Sequence, residues 1–302
     1  MSTKDKGFFS VSSSIFWVIL GIILFLLLPY FKNGFYNEEK AKEWVENFDE
    51  QKHTIDSIGN SNISKKVVIR WTWKDFNKDR HEISFCVQRG EIQRAKKFRI
   101  GYNGSNFNGN IYQDFINISE SVIDSMYQAM HKDVRKKKLR DMDLLNYIVT
   151  AIQTPPYTKI TNEEGECPCK DMGSNWLDDC YPRPDGQGCC NGVVPLAVYT
   201  PAEFIYQKTG DCDTKAILAY ALLKKFKYDA AVLVGFTSNS IKDPGAHCML
   251  GVAGVKPVVP GAKVRHSGRL YYPWEVTSFN PYFVLGNINM WQVWRDWEVV
   301  CN

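Results

Sequence analysis

This chain predicts an α+β fold, and three features of its sequence carry the prediction. The cysteine of Gly210-Asp211-Cys212-Asp213-Thr214-Lys215-Ala216 stands just ahead of the unbroken apolar run 217–223, which reads as a buried helix opening at the thiol. Three β-branched and aromatic runs follow, over residues 230–236, 247–252 and 270–276, and predict an antiparallel sheet for that helix to pack on. Upstream, residues 67–73 and 83–87 flank the turn-rich stretch 75–80 as a hairpin. Helical spacing then occupies 111–132 and 142–152, ended by Pro155-Pro156.

Taken in order, the chain opens with a short tail, residues 1–11. From Ser12 to Phe31 it carries 20 residues without a charge, enough to cross about 30 Å of hydrocarbon, so residues 12–31 read as a single transmembrane helix. Pro29-Tyr30-Phe31-Lys32 lacks the small residues of a cleavage site, which favours an anchor that stays in place. In the juxtamembrane stretch 32–64, Ala41, Trp44, Val45 and Phe48 recur at helical spacing, and from Gln51 the composition turns linker-like. An N-terminal α+β region is expected over 65–140 and a core over 141–302, with a cysteine-rich insert at 160–195. Arg135-Lys136-Lys137-Lys138 with Arg140 reads as a solvated helix face. The net charge is only +4 and no basic stretch is interleaved with aromatics, so nucleic acid is not an expected partner.

A thiol at a helix start lies beside unpaired backbone N–H groups and the positive end of the helix dipole, which stabilise an anion. Cys212 is therefore the candidate nucleophile. Gly245-Ala246-His247-Cys248 supplies a base, and Trp274-Glu275-Val276-Thr277 supplies a carboxylate to orient it. Side chains alternate along a strand, so His247 and Cys248 face opposite ways, which argues against Cys248 as the nucleophile. Glu275 reaches the imidazole only if the strand register sets it opposite or diagonal to His247. Asp211 and Asp213 flank the thiol, where they raise its pKa, and both read as capping residues of the helix. Taken singly, Cys212, His247 and Glu275 also suit ordinary packing positions; their order and setting together favour a site.

Thr200-Pro201-Ala202-Glu203-Phe204, the Cys212 segment with its Leu-rich helix, and Ile152-Gln153-Thr154-Pro155-Pro156-Tyr157 resemble the core of bacterial and archaeal transglutaminase-like cysteine enzymes, over roughly residues 141–277. The resemblance implies a papain-like core in which the helix carrying Cys212 packs on a sheet carrying His247 and the third residue. That third position, usually Asp, falls on Glu275, a departure from the family pattern. By the same likeness Gln153 is expected to support the oxyanion, together with the backbone N–H of Cys212. No cofactor and no metal are expected. A peptide or protein substrate is implied, with amide hydrolysis through an acyl-enzyme as the leading activity. A cross-linking acyltransferase and a module without turnover are the alternatives.

Cys167, Cys169, Cys180, Cys189 and Cys190 crowd into 24 residues, and their C-x-C and C-C spacings differ from paired zinc knuckles, so they read as disulfide cysteines. That places the bulk of the chain outside the cytosol, anchored to the membrane. Trp291, Trp294 and Trp297 recur every third residue and read as core or edge packing rather than a binding groove.

Overall fold

The hairpin of the sequence expectation forms from β1, Lys66–Lys74, and β2, Arg80–Gln88, paired antiparallel with Lys66 opposite Gln88. Ile69, Trp71 and Trp73 on one strand and Ile83, Phe85 and Val87 on the other are buried, while the residues between them face outward, as strict alternation requires. The computed structural model describes residues 65–102, 110–161, 190–191, 194–237, 246–257, 261–280, 283–287 and 294–302, the side chains of 190–191, 236–237, 246 and 294–296 excepted. The expected transmembrane helix at 12–31, the stretch 32–64, Trp291, and Cys167, Cys169, Cys180 and Cys189 lie outside them. Among the described residues no helix is long and apolar enough to cross a membrane.

Four helices follow the hairpin: α1, Arg89–Ile100; α2, Ile111–Ile118; α3, Glu120–Lys137; and α4, Asp141–Gln153. The single helix expected over 111–132 is thus two, broken at the buried Ser119, whose hydroxyl accepts the Ala202 N–H at 3.2 Å. Arg135, Lys136 and Lys138 are exposed at the end of α3, as expected of a solvated face. Lys137, exposed as well, also reaches back to His81 Nδ1 at 2.7 Å and pairs with Asp133. Helix α1 has no counterpart in the sequence reading.

The insert begins and ends at a short parallel ladder between β3, Lys159–Ile160, and β4, Cys190–Asn191. Two further helices, α5, Pro201–Gln207, and α6, Cys212–Lys225, lead into the sheet. Its strands are β5, Asp229–Thr237; β6, Ala246–Ala253; β7, Val264–His266; β8, Arg269–Trp274; and β9, Trp294–Cys301, in the order β7-β8-β6-β5-β9, all antiparallel. The architecture is α+β.

Helix α6 is buried from Thr214 to Leu223 because it packs on β5 and β6 along one side and on α2 to α5 along others. A helix enclosed in this way must be apolar nearly all round, which explains the run 217–223. The main core continues from the hairpin through α3 and α4 to β5, β6 and β8, so the regions 65–140 and 141–302 share one interior. Of the three tail tryptophans, Trp297 packs on the sheet: a Cβ on Gly235 of β5 would come within 2.7 Å of its ring, so it lies against a position that only glycine leaves open.

Candidate active site

Cys212 is the first residue of α6, and the chain is brought to it by close packing. Gly210 precedes it where a Cβ would meet Thr214 Cγ2 at 2.8 Å and Phe204 Cδ2 at 3.1 Å. The Gly210 carbonyl accepts the Thr158 N–H at 3.0 Å, tying this segment to the chain that leaves α4. Asp211 is the N-cap, its carboxylate accepting the Thr214 N–H, which Asp213 Oδ1 also receives at 2.8 Å. The two aspartates are the capping residues that the sequence suggested. Burial pushes both carboxyl pKa values up, and for Asp211 the neighbouring Asp213 charge adds to it.

His247 lies in β6, and its Nε2 is 2.7 Å from Glu275 Oε2. The register pairs Leu250 with Trp274, and one step further sets Glu275 opposite Met249, diagonal to His247. The other carboxylate oxygen, Oε1, accepts the Thr277 N–H at 2.8 Å, which fixes the direction of the acid. Burial would disfavour the imidazolium, but Glu275 and the Cys212 sulfur outweigh it, and the His247 pKa stands well above its ordinary range. Glu275, equally buried, is held below the ordinary carboxylate value because the His247 charge and hydrogen bonds overcome desolvation.

The half-buried Cys212 thiol interacts with both His247 and Cys248. With Nε2 on Glu275, Nδ1 is the ring nitrogen left to face the sulfur. The thiol pKa is pushed well up, first by its hydrogen bond with Cys248 and then by burial, against the opposing pull of His247. Cys248 itself turns into the core beside Leu250 and Val252, and its sulfur lies 3.6 Å from the Tyr112 hydroxyl. Strand alternation thus sets it toward the core, where Cys212 also packs. Cys248→Ala is expected to make Cys212 more acidic, so that its alkylation by iodoacetamide, followed at the Cys212 peptide by mass spectrometry, begins at lower pH than in the parent. An unchanged or alkaline-shifted profile would contradict the assigned cause.

Gln153 ends α4 fully buried. Its Nε2 donates to the Glu275 carbonyl at 2.7 Å, while its Oε1 finds no partner among the described residues. Its amide nitrogen therefore supports the backbone at Glu275, where the family likeness implied support of an oxyanion. Lys215, which the sequence reading passed over, is completely buried one turn into α6 and donates to the carbonyls of Gln153, Pro155 and Thr277. A lysine directly ahead of the apolar run 216–223 was the signal available. Cys190 lies in β4, its side chain outside the described residues; Cys86, Cys212, Cys248 and Cys301 form no disulfide among the described residues.

No family model matches this chain, and no curated protein or solved structure matches it either.

Proposed function

We propose that this chain is a thiol enzyme of transglutaminase-like type with a papain-like core, acting on amide bonds through Cys212, His247 and Glu275. What supports the reading above all is the His247–Glu275 pair, 2.7 Å apart, beside a thiol at the first position of a buried helix. In this chemistry the sulfur gives its proton to His247, and the thiolate attacks the amide carbonyl. The imidazolium, stabilised by Glu275, protonates the departing amine as the C–N bond breaks, leaving a thioester on Cys212. Water attacking the thioester gives hydrolysis, and an amine in its place gives transfer. The helix N-terminus at Cys212 supplies N–H donors toward the oxyanion. Anchoring through residues 12–31, with the body of the chain outside the cytosol and peptides or proteins as substrates, belongs to the same proposal.

The hydrogen bond with Cys248 and burial both push the Cys212 thiol pKa up, against the thiolate that the attack requires. That observation favours a second reading, a related domain that binds partners without turnover. The two separate in one experiment: full-length protein is incubated with a mixed peptide pool at alkaline pH, quenched in acid and mapped by mass spectrometry. A hydroxylamine-labile acyl adduct on the Cys212 peptide, with release of an amine, is expected of the enzyme. Its absence, with adducts confined to Cys86, Cys248 or Cys301 or with none at all, would reject turnover and leave the binding module.

A further inference from the structure

From the placement of Lys215 we infer that this residue is a positioning residue of the site, holding the loop of the triad acid to the helix of the nucleophile. The inference rests on the proposed thiol chemistry. Lysine is among the residues least often found fully buried, because its ammonium must leave water. Here the side chain is 0% exposed, inside a helix whose neighbours from Ala216 to Leu223 are apolar or aromatic, so an unusual arrangement has to satisfy it.

An ammonium has three N–H donors and no acceptor. Lys215 Nζ has three backbone carbonyls within reach: Gln153 at the end of α4, Pro155 two residues later, and Thr277 two residues beyond Glu275. Two separate stretches of chain, 153–155 and the one that holds Thr277, thus converge on one nitrogen of the helix. The same stretches are joined again at Glu275, whose carbonyl accepts from Gln153 Nε2 and whose carboxylate accepts from the Thr277 N–H. The contacts close a ring from Cys212 along α6 to Lys215, through Thr277 to Glu275, across to His247 and back to the sulfur. Nothing in that ring places Lys215 on a reacting atom. Its effect is geometric: with the ammonium gone, the Thr277 carbonyl loses its tie to the helix, and the carboxylate is held less firmly at its distance from the imidazole.

The test is the pH profile of iodoacetamide alkylation at Cys212 in the full-length protein, for the parent, Lys215→Met and Glu275→Gln. Cys86, which is exposed, serves as the internal standard, and Cys248, which is buried, as the reporter of unfolding. The expected result is that Lys215→Met slows Cys212 alkylation by about 10- to 100-fold, the scale on which sub-ångström misplacement acts. Its pH profile should be displaced in the same direction as that of Glu275→Gln, while Cys248 stays protected. A lower melting temperature with an unmoved pH profile would make Lys215 a packing residue and overturn the proposal. Were Cys248 to become as reactive as Cys86, Lys215→Arg carries the test, since guanidinium keeps donors but cannot set three of them on the same oxygens. Unfolding of both variants would equally overturn it. If Glu275→Gln changes nothing either, the failure belongs to the thiol-imidazole chemistry rather than to Lys215.

Discussion

Glu275→Gln is expected to slow acyl-enzyme formation at Cys212 by on the order of 10²- to 10⁴-fold, with little change in the fold. The amide keeps the shape of the acid and its contact with the Thr277 N–H, but it removes the charge that holds His247 well above its ordinary pKa. Burial is then unopposed on that side and drives the imidazole neutral, so the thiolate loses the imidazolium that stabilises it. The pH at which the ring loses its proton should fall, even as the maximum rate falls with it. Stability follows the same linkage. A raised His247 contributes fully below its ordinary value of 6.5 and loses that contribution as pH rises through the folded value. A depressed Glu275 contributes above 4.5 and loses it as pH falls through the folded value. The deficit of Glu275→Gln relative to the parent should therefore be largest between 4.5 and 6.5. Melting curves across that window check it, and a deficit that grew toward alkaline pH would contradict the assignment.

The largest loss of stability is expected at a position remote from the thiol. Arg99 of α1 and Glu203 of α5 form a two-pronged ion pair, Nε to Oε2 at 2.8 Å and Nη2 to Oε1 at 2.7 Å, with side chains only 3% and 1% exposed. Glu203 also closes the capping box of α5, accepting from the Thr200 N–H and hydroxyl at 3.1 Å each. Arg99→Met leaves that carboxylate buried without its cation and should cost about 3–5 kcal/mol in urea unfolding. Replacing both partners, as Arg99→Met with Glu203→Gln, should recover part of the loss, because no charge is then stranded. A single-variant cost below about 1 kcal/mol, the range of an exposed pair, would show that the charges are solvated. Phe204, next to Glu203, is one of the side chains against Gly210, so loosening α5 should also be felt at Cys212.

These two sites differ in how far the sequence discloses them. The hairpin was legible because Ile69, Trp71 and Trp73 alternate with exposed residues, and α6 because a long apolar run has nowhere to go but the interior. Cys212, His247 and Glu275 were legible as chemical types in a plausible order, and the β6–β8 register supplied the diagonal that the sequence had to assume. Helix α1 was not, since its buried positions are Ile92, Ala95 and Arg99: one inward position in three is a charge, and its pairing partner is 104 residues away. Lys215 was hidden for the same reason. A cation reads as surface until three carbonyls from distant segments are seen around it. The break at Ser119 escaped because its cause, the Ala202 N–H, belongs to another helix.

The β3–β4 ladder has an evolutionary consequence. Lys159 pairs with Cys190 and Ile160 with Asn191, so the polypeptide departs and returns through adjoining doorways. Val194 adds a further clasp, its N–H donating to the Thr161 carbonyl at 2.8 Å, so the two ends are held together whatever the length of chain that joins them. Selection can then vary that length while the two ends keep their places.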